Sequence, residues 1–454
     1  GLGYRDTAQD AMTVIATNPG GCRRRIEELL RALTSDGYGI HLFEPRWFDK
    51  SGENRKKPFK SPTVIPEPEG RSKVHGIEDA CSDDALWLIP TIAEYVMETG
   101  DEEFPDKVYT YADGGEGTVY EHMKKIVEFS LREVGENGVC RGLRADWNDC
   151  LNLGGGESAL VTYLLYYALT VMAEMAEHMG RGSDAGRFTK EAEKIRKVSD
   201  EVLWDGDWFI RGFTKSGRKI GTKDNLEGRI HLESNAWAVL SGAAGPEKAE
   251  KALKVIRDEL ATPYGIMLNA PAYTVPDDEI GFVTRVYPGL KENGSIFSHP
   301  NPWVWSAECR MGHGDAALDY YHSLCPYYQN DMIEIRMSEP YSYCQFISGK
   351  DHSTYGRAHH PFMTGSGGWS YFAVTHYMLG IRPGYDRLII DPCISSEWEG
   401  FSVRRKFRNS TYLITVKNPG HKQKGVTRLT VDGKEAEYVP VFNDGGEHTV
   451  EAVM

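Results

Sequence analysis

Arg141–Met179 reads RGLRADWNDCLNLGGGESALVTYLLYYALTVMAEMAEHM. From about Ser158 the pattern is that of a long apolar helix, and Gly180 supplies its stop. The preceding loop sets two carboxylates, Asp146 and Asp149, around Trp147 and closes on three glycines. An indole face packs on a pyranose ring while a carboxyl group works on a glycosidic oxygen, so the loop suits a sugar-cleaving site. The same residues also read as a helix N-cap followed by a packed aromatic.

Helical periodicity recurs on both sides of this stretch. Asn18-Pro19-Gly20 starts a helix over 22–33, and Asp83-Asp84 caps one over 85–99 that Gly100 ends. Further helices are predicted at 118–134, 184–203, 234–240, 246–260, 303–311, 316–324 and 369–379. The opening residues, GLGYRDTAQDAM, lack a helix start and read as a loop, and 48–73 is a long loop rich in Pro, Lys, Gly and Ser. Residues 204–230 alternate like a short hairpin between helices. Helices of 8 to 22 residues with loops of uneven length point to paired helices in a ring, an α/α toroid.

Past Pro383 the pattern becomes alternating strands. Asp432-Gly433 reads as one hairpin turn and Asn418-Pro419-Gly420 as another. The expected division is a helical domain over 1–385, lacking its first segment, and a small antiparallel, sandwich-like β domain over 386–454.

At 454 residues the chain can bury a large core. A net charge of −14 argues against a nucleic-acid backbone as partner and favours a neutral or modestly polar ligand. Ten Trp and 24 Tyr exceed what packing requires, as in carbohydrate sites. The eight cysteines form no CxxC pair, which points to free thiols in a reducing cytosol rather than disulfides or zinc. No apolar run is read as approaching the roughly 18 residues needed to cross a bilayer, so no membrane role is expected.

Two stretches offer a cradle for an anion. In Thr364-Gly365-Ser366-Gly367-Gly368-Trp369, glycines and hydroxyls precede a helix, so backbone N–H groups and the helix dipole can face a phosphate. Ser295–Trp305 places His299 before Pro300 and Pro302, which suit a first helical turn. Their other readings are a flexible glycine turn and a core histidine. Lys291-Glu292-Asn293 and Arg5-Asp6 could hydrogen-bond sugar hydroxyls or be solvated loops. One acid at Asp149 with a phosphate cradle describes a cleavage in which phosphate replaces water, since an anion needs no second carboxylate to activate it.

RADWNDCLNLGGGES, KENGSIFSHPNPW, EPYSYCQFISGKDH and MTGSGGW, with GLGYRDTAQD at the start, resemble the inverting disaccharide phosphorylases of glycoside hydrolase family 94. The resemblance implies an (α/α)6 barrel followed by a small C-terminal β domain, with inorganic phosphate as co-substrate and no cofactor or metal required. It casts Asp149 as the general acid, Trp147 as a wall for the transferred sugar, and Arg5 with Asp6 as ligands of its hydroxyls. His299, Thr364 and Gly365 fall where the family binds phosphate, and Lys291 where it contacts the leaving sugar, with Glu292 beside it. Asp146 is then a loop-fixing residue.

Val286 stands five residues before Lys291, where cellobiose-cleaving members carry Tyr; the smaller side chain leaves room for an N-acetyl group. That implies GlcNAc-β-1,4-GlcNAc as substrate, with cellobiose or another β-glucoside as the alternative. The family also implies a homodimer in the full-length protein, and a phosphate-binding arginine and active-site rim from upstream, in the same protein or on a separate N-terminal polypeptide. A non-catalytic glycan-binding protein is the rival from a different class.

Overall fold

The computed structural model describes residues 1–45 and 76–454; the loop expected at 48–73 lies outside them. Among the described residues there are twelve α-helices. They are α1 Tyr4–Val14, α2 Pro19–Arg31, α3 Leu88–Thr99, α4 Val119–Arg132, α5 Ala159–His178 and α6 Gly182–Val198. The remainder are α7 Leu232–Leu240, α8 Pro246–Val255, α9 Asn301–Met311, α10 Gly314–Leu324, α11 Ile333–Arg336 and α12 Ser366–Ala373.

Local chemistry explains several of these boundaries. Asn18 Oδ1 accepts from the Gly21 N–H at the start of α2, and Thr118 and Glu121 form a reciprocal capping box on α4. Ser158 Oγ accepts from Val161 N–H to cap α5, while Gly180 follows its end at φ 71°.

Two expectations about helix starts are corrected. The opening stretch is not a loop: α1 forms without a side-chain cap because Tyr4, Ala8, Ala11 and Met12 bury one face. Asp83 and Asp84 do not cap α3, which begins through a 3-10 turn over Asp84–Trp87. Their carboxylates are engaged elsewhere, Asp83 accepting from Trp87 Nε1 and both facing Arg5.

Six helices pack in a closed succession: α1 on α3, α3 on α5, α5 on α7, α7 on α9, α9 on α12, and α12 on α1. The remaining long helices pack against these six, α2 against α1, α4 and α6 against α5, α8 against α7 and α10 against α9. Inner helices must be apolar almost all round. Every residue of α7 is buried, as are the first nine of α9. By length and composition α5 is also apolar enough to span a membrane, which corrects the reading that no run comes close. Here it packs against α3, α6 and α7 in the protein core.

Residues 204–230 contain the expected hairpin, Gly212–Phe213 pairing with Lys219–Ile220, and it adds to Glu157–Ser158. All eight cysteines are free.

The C-terminal region holds a second hydrophobic cluster, including Ile381, Leu388, Phe407, Tyr412, Ile414, Val416 and Val450. Its main sheet uses β1 Gly400–Phe407, β2 Ser410–Lys417, β3 Arg428–Val431, β4 Lys434–Glu435 and β5 Glu447–Val453. The order is β1-β2-β5-β3-β4. The sheet is mixed rather than purely antiparallel, because β5 returns alongside β2 in the same direction. That insertion separates β2 from β3, so Asn418-Pro419-Gly420 is a turn but not a hairpin. Asp432-Gly433 does close the β3–β4 hairpin, with φ of 49° and 75°.

Candidate active site

The six inner helices begin at one end of the ring, and the signature loops converge there. Arg5 lies in the first turn of α1, Asp83 and Asp84 precede α3, Ser158 precedes α5, His299 precedes α9 and Gly365 precedes α12. Beneath them five tryptophans interlock. Trp303 lies 5.1 Å from Trp147, 5.6 Å from Trp237, 5.9 Å from Trp87 and 6.0 Å from Trp369 between ring centroids. Trp87, Trp237, Trp303 and Trp369 are buried, as is Trp305, so half of the Trp content read as a carbohydrate signal is core.

Arg5 is the hub. Its guanidinium is 4% exposed and contacts Asp84 Oδ1 and Asp149 Oδ1, each at 3.2 Å, and Asp83 Oδ2 at 3.3 Å. It also donates to the Trp147 carbonyl. Burial works against its charge, but Asp83, Asp84 and Asp149 more than offset it and hold its pKa well above the ordinary value. One side chain thus ties the first helix to the loop 142 residues away that carries Trp147. Asp6, its neighbour, folds back toward Gly3, and loss of hydration, only partly offset by Arg5, raises its carboxyl pKa.

The two loop acids separate sharply. The Asp146 side chain is fully buried, with Arg211 Nη1 2.7 Å from Oδ2, Ser158 Oγ donating to Oδ2 at 2.6 Å and Asn148 N–H donating to Oδ1 at 2.9 Å. Such a carboxylate holds a loop and has no face left for a ligand. The Asp149 side chain is 59% exposed, and Oδ2 has no hydrogen-bond partner among the described residues. Trp147 is 7% exposed, its indole packed edge-on against Phe297 at 5.6 Å.

The 281–295 loop packs on the same segment. Val283 N–H donates to the Cys150 carbonyl, and the Cys150 thiol reaches Glu292 Oε2 at 3.3 Å. Glu292 therefore lies beside Cys150, the residue that follows Asp149, while Lys291 is exposed at φ 44°. Asn293 does not offer its amide to a ligand, because the Tyr273 and Val286 backbones satisfy it. Val286 is half-buried on this loop.

His299, Thr364 and Gly365 come together where α9 and α12 start. A Cβ on Gly365 would meet His299 Cε1 at 2.7 Å and Nδ1 at 2.8 Å, so only glycine fits there. Thr364 Oγ1 accepts from the Ser366 N–H at 3.2 Å and orders the first turn of α12. Burial, reinforced by the Arg5 charge, lowers the His299 pKa to about 3.

Among the described residues one trio could hold a metal ion: the ligand atoms of His41, Cys81 and Asp149 lie within 4.8 Å of one another. The chemistry fits poorly. His41 Nδ1 is engaged by Asp84 Oδ2 at 3.0 Å, Asp149 by Arg5, and burial raises the Cys81 thiol far above its ordinary pKa.

The sequence reading missed four supporting residues. Gln9 contacts His299, and Asp83 with Asp84 anchors Arg5. Buried Arg211 bridges Asp146 and Glu233. For Arg211 the signal is an arginine within the apolar stretch WFIRGF, since a buried charge needs a partner.

Residues 1–380 match the model of the glycosyl hydrolase 94 superfamily, catalytic domain. The chain is 54% identical over 457 residues to the N,N′-diacetylchitobiose phosphorylase of Vibrio proteolyticus, covering all of this chain and 57% of that protein. It is 52% identical to the enzyme of the same name from Vibrio furnissii, again covering all of this chain and 57% of the relative. The chain thus spans little more than half the length of these curated relatives. Among solved structures, the GH78 family rhamnosidase of Bacillus sp. GL1 superposes with a TM-score of 0.50 at 12% identity. That match covers 82% of this chain and 34% of the rhamnosidase, a likeness of fold alone.

Proposed function

The chain belongs to the glycosyl hydrolase 94 superfamily through its catalytic domain, and from that premise we propose that it acts in the inverting phosphorolysis of GlcNAc-β-1,4-GlcNAc. The observation that carries this reading is the pairing of one solvent-open acid, Asp149, with an anion cradle at His299, Thr364 and Gly365. The Vibrio relatives, at 54% and 52% identity, support the same substrate.

In the proposed reaction an oxygen of hydrogen phosphate bonds to the anomeric carbon from the face opposite the leaving sugar. The glycosidic C1–O bond breaks, and Asp149 gives its proton to the leaving oxygen. The products are α-GlcNAc 1-phosphate and GlcNAc, and Asp149 recovers the proton that phosphate gives up. Arg5 and Asp6 bind hydroxyls of the transferred sugar, and Trp147 walls it. Lys291 and Glu292 bind the leaving sugar, and Val286 leaves space for its acetamide. The Asp146–Arg211 pair holds the loop that carries Asp149.

The proposal includes an (α/α)6 barrel, for which the closed succession of six inner helices is the support. It divides the chain near residue 385, where the second hydrophobic cluster takes over. Phosphate is the co-substrate, no cofactor is required, and the enzyme works in the cytoplasm. A homodimer, and an active-site rim supplied from outside this chain, rest on the family resemblance.

Incubation with N,N′-diacetylchitobiose and with cellobiose, each with and without phosphate, tests the reading. Phosphate-dependent cleavage of the first is expected, and cleavage of cellobiose alone overturns the substrate assignment.

A further inference from the structure

His299 can offer the anion cradle a donor or an acceptor, and its neighbours decide which. Gln9, on α1, touches both His299 and Trp369. Trp369 Nε1 lies 2.8 Å from one terminal atom of the Gln9 amide. An indole N–H only donates, so that atom is the amide oxygen. The amide nitrogen then points to the Arg5 carbonyl at 3.4 Å, an acceptor, consistent with the same orientation.

The oxygen fixed in this way also lies 3.0 Å from His299 Nε2. An amide oxygen cannot donate, so Nε2 must carry the proton. The ring is buried between Trp147, at 5.4 Å, and Trp303, at 5.6 Å, with the Arg5 charge near it, surroundings that disfavour a second proton. Nδ1 is left with a lone pair, facing Gly365 and without a hydrogen-bond partner among the described residues. Asp10 Oδ1 lies 3.7 Å from the position a Gly365 Cβ would take, on the same cradle.

We infer that Gln9 is a positioning residue that holds His299 as the Nε2–H tautomer, so that its Nδ1 accepts a hydrogen bond and selects an oxyanion carrying its own proton. The inference rests on the phosphate site of the proposed function and specifies the form of phosphate it takes. Hydrogen phosphate donates its P–OH to Nδ1. Its unprotonated oxygens stay free for the Gly365 N–H group and for attack.

Monofluorophosphate is the discriminating probe. At neutral pH it is a tetrahedral dianion like hydrogen phosphate, with fluorine in place of the hydroxyl, and so cannot donate. Calorimetric titration of the chain with inorganic phosphate and with monofluorophosphate is expected to show at least about tenfold weaker binding of the fluoro analogue. In Gln9→Glu a carboxylate takes over both contacts and favours the imidazolium, whose Nδ1–H donates, so the preference should collapse toward one. A packing role for Gln9 would weaken both anions alike and leave their ratio unchanged.

Equal binding of the two anions by the unaltered chain overturns the inference, and so does an unchanged ratio in folded Gln9→Glu. If the variant does not fold, the ratio in the unaltered chain decides alone. No binding of phosphate at all overturns the proposed function and this inference with it.

Discussion

Arg5 Nη2 stands 3.2 Å from Asp149 Oδ1, joining the first helix to the exposed acid of a loop 144 residues further along the chain. The guanidinium also faces Asp83 and Asp84, both fully buried. Arg5→Met leaves those two carboxylates without their cation and is expected to lower unfolding free energy by about 3–5 kcal/mol. Asp149→Asn, on an exposed side chain, is expected to change it by less than about 0.5 kcal/mol. Chemical denaturation of the two variants checks the contrast.

Gly365→Ala puts a methyl group against the His299 ring, 2.7 Å from Cε1. Displacing the ring is an overpacking cost of about 1–3 kcal/mol. The phosphate KM should rise about tenfold or more, with little change in the KM for the disaccharide. Initial-rate kinetics with each substrate varied in turn separate the two.

Val286→Tyr tests the substrate assignment from the other side. Under the proposed reading a phenol ring would fill the space assigned to an acetamide, so kcat/KM for N,N′-diacetylchitobiose should fall by about 10- to 100-fold. Cellobiose should be used no worse than before. An equal loss on both disaccharides would show that Val286 only supports the loop.

The helical ring was legible because inner helices such as α5 are continuously apolar and several helix ends carry a side-chain cap or a glycine. Helix α1 was not, since Gly3 supplies no side-chain cap and the helix exists through the contacts of Tyr4, Ala8 and Met12. The site followed the same division. Asp149 and the Gly365 turn carry local signatures, and the structure brings the loops that bear them to one end of the ring. Asp83 and Asp84 were visible as an acid pair, but local grammar reads such a pair as a cap. Only the fold shows that a buried arginine claims it. Gln9 has no local signature at all, because its role depends on Trp369, 360 residues away. The parallel pairing of β2 with β5 was hidden likewise, since alternation fixes which face a residue takes but not which strand lies beside it.

His299 also makes a prediction about acid stability. Its pKa in the folded chain is about 3, against 6.5 ordinarily. Below about pH 6.5 the unfolded chain binds a proton that the folded chain refuses, so this group removes stability as pH falls toward 3. The slope is at most one proton, about 1.4 kcal/mol per pH unit. In His299→Gln, unfolding free energy measured from pH 7 down to 4 should fall less steeply than in the unaltered chain. The two curves should run parallel above pH 7.

In the proposed reaction Asp149 works as a lone acid while phosphate replaces the water-activating base. Phosphorus and proton NMR of the chain incubated with N,N′-diacetylchitobiose and phosphate tests it most directly. The expected result is α-GlcNAc 1-phosphate and GlcNAc in equal amounts, no cleavage when phosphate is left out, and a rate about 10²- to 10⁴-fold lower in Asp149→Asn. Release of free GlcNAc alone, at the same rate with or without phosphate, would contradict it.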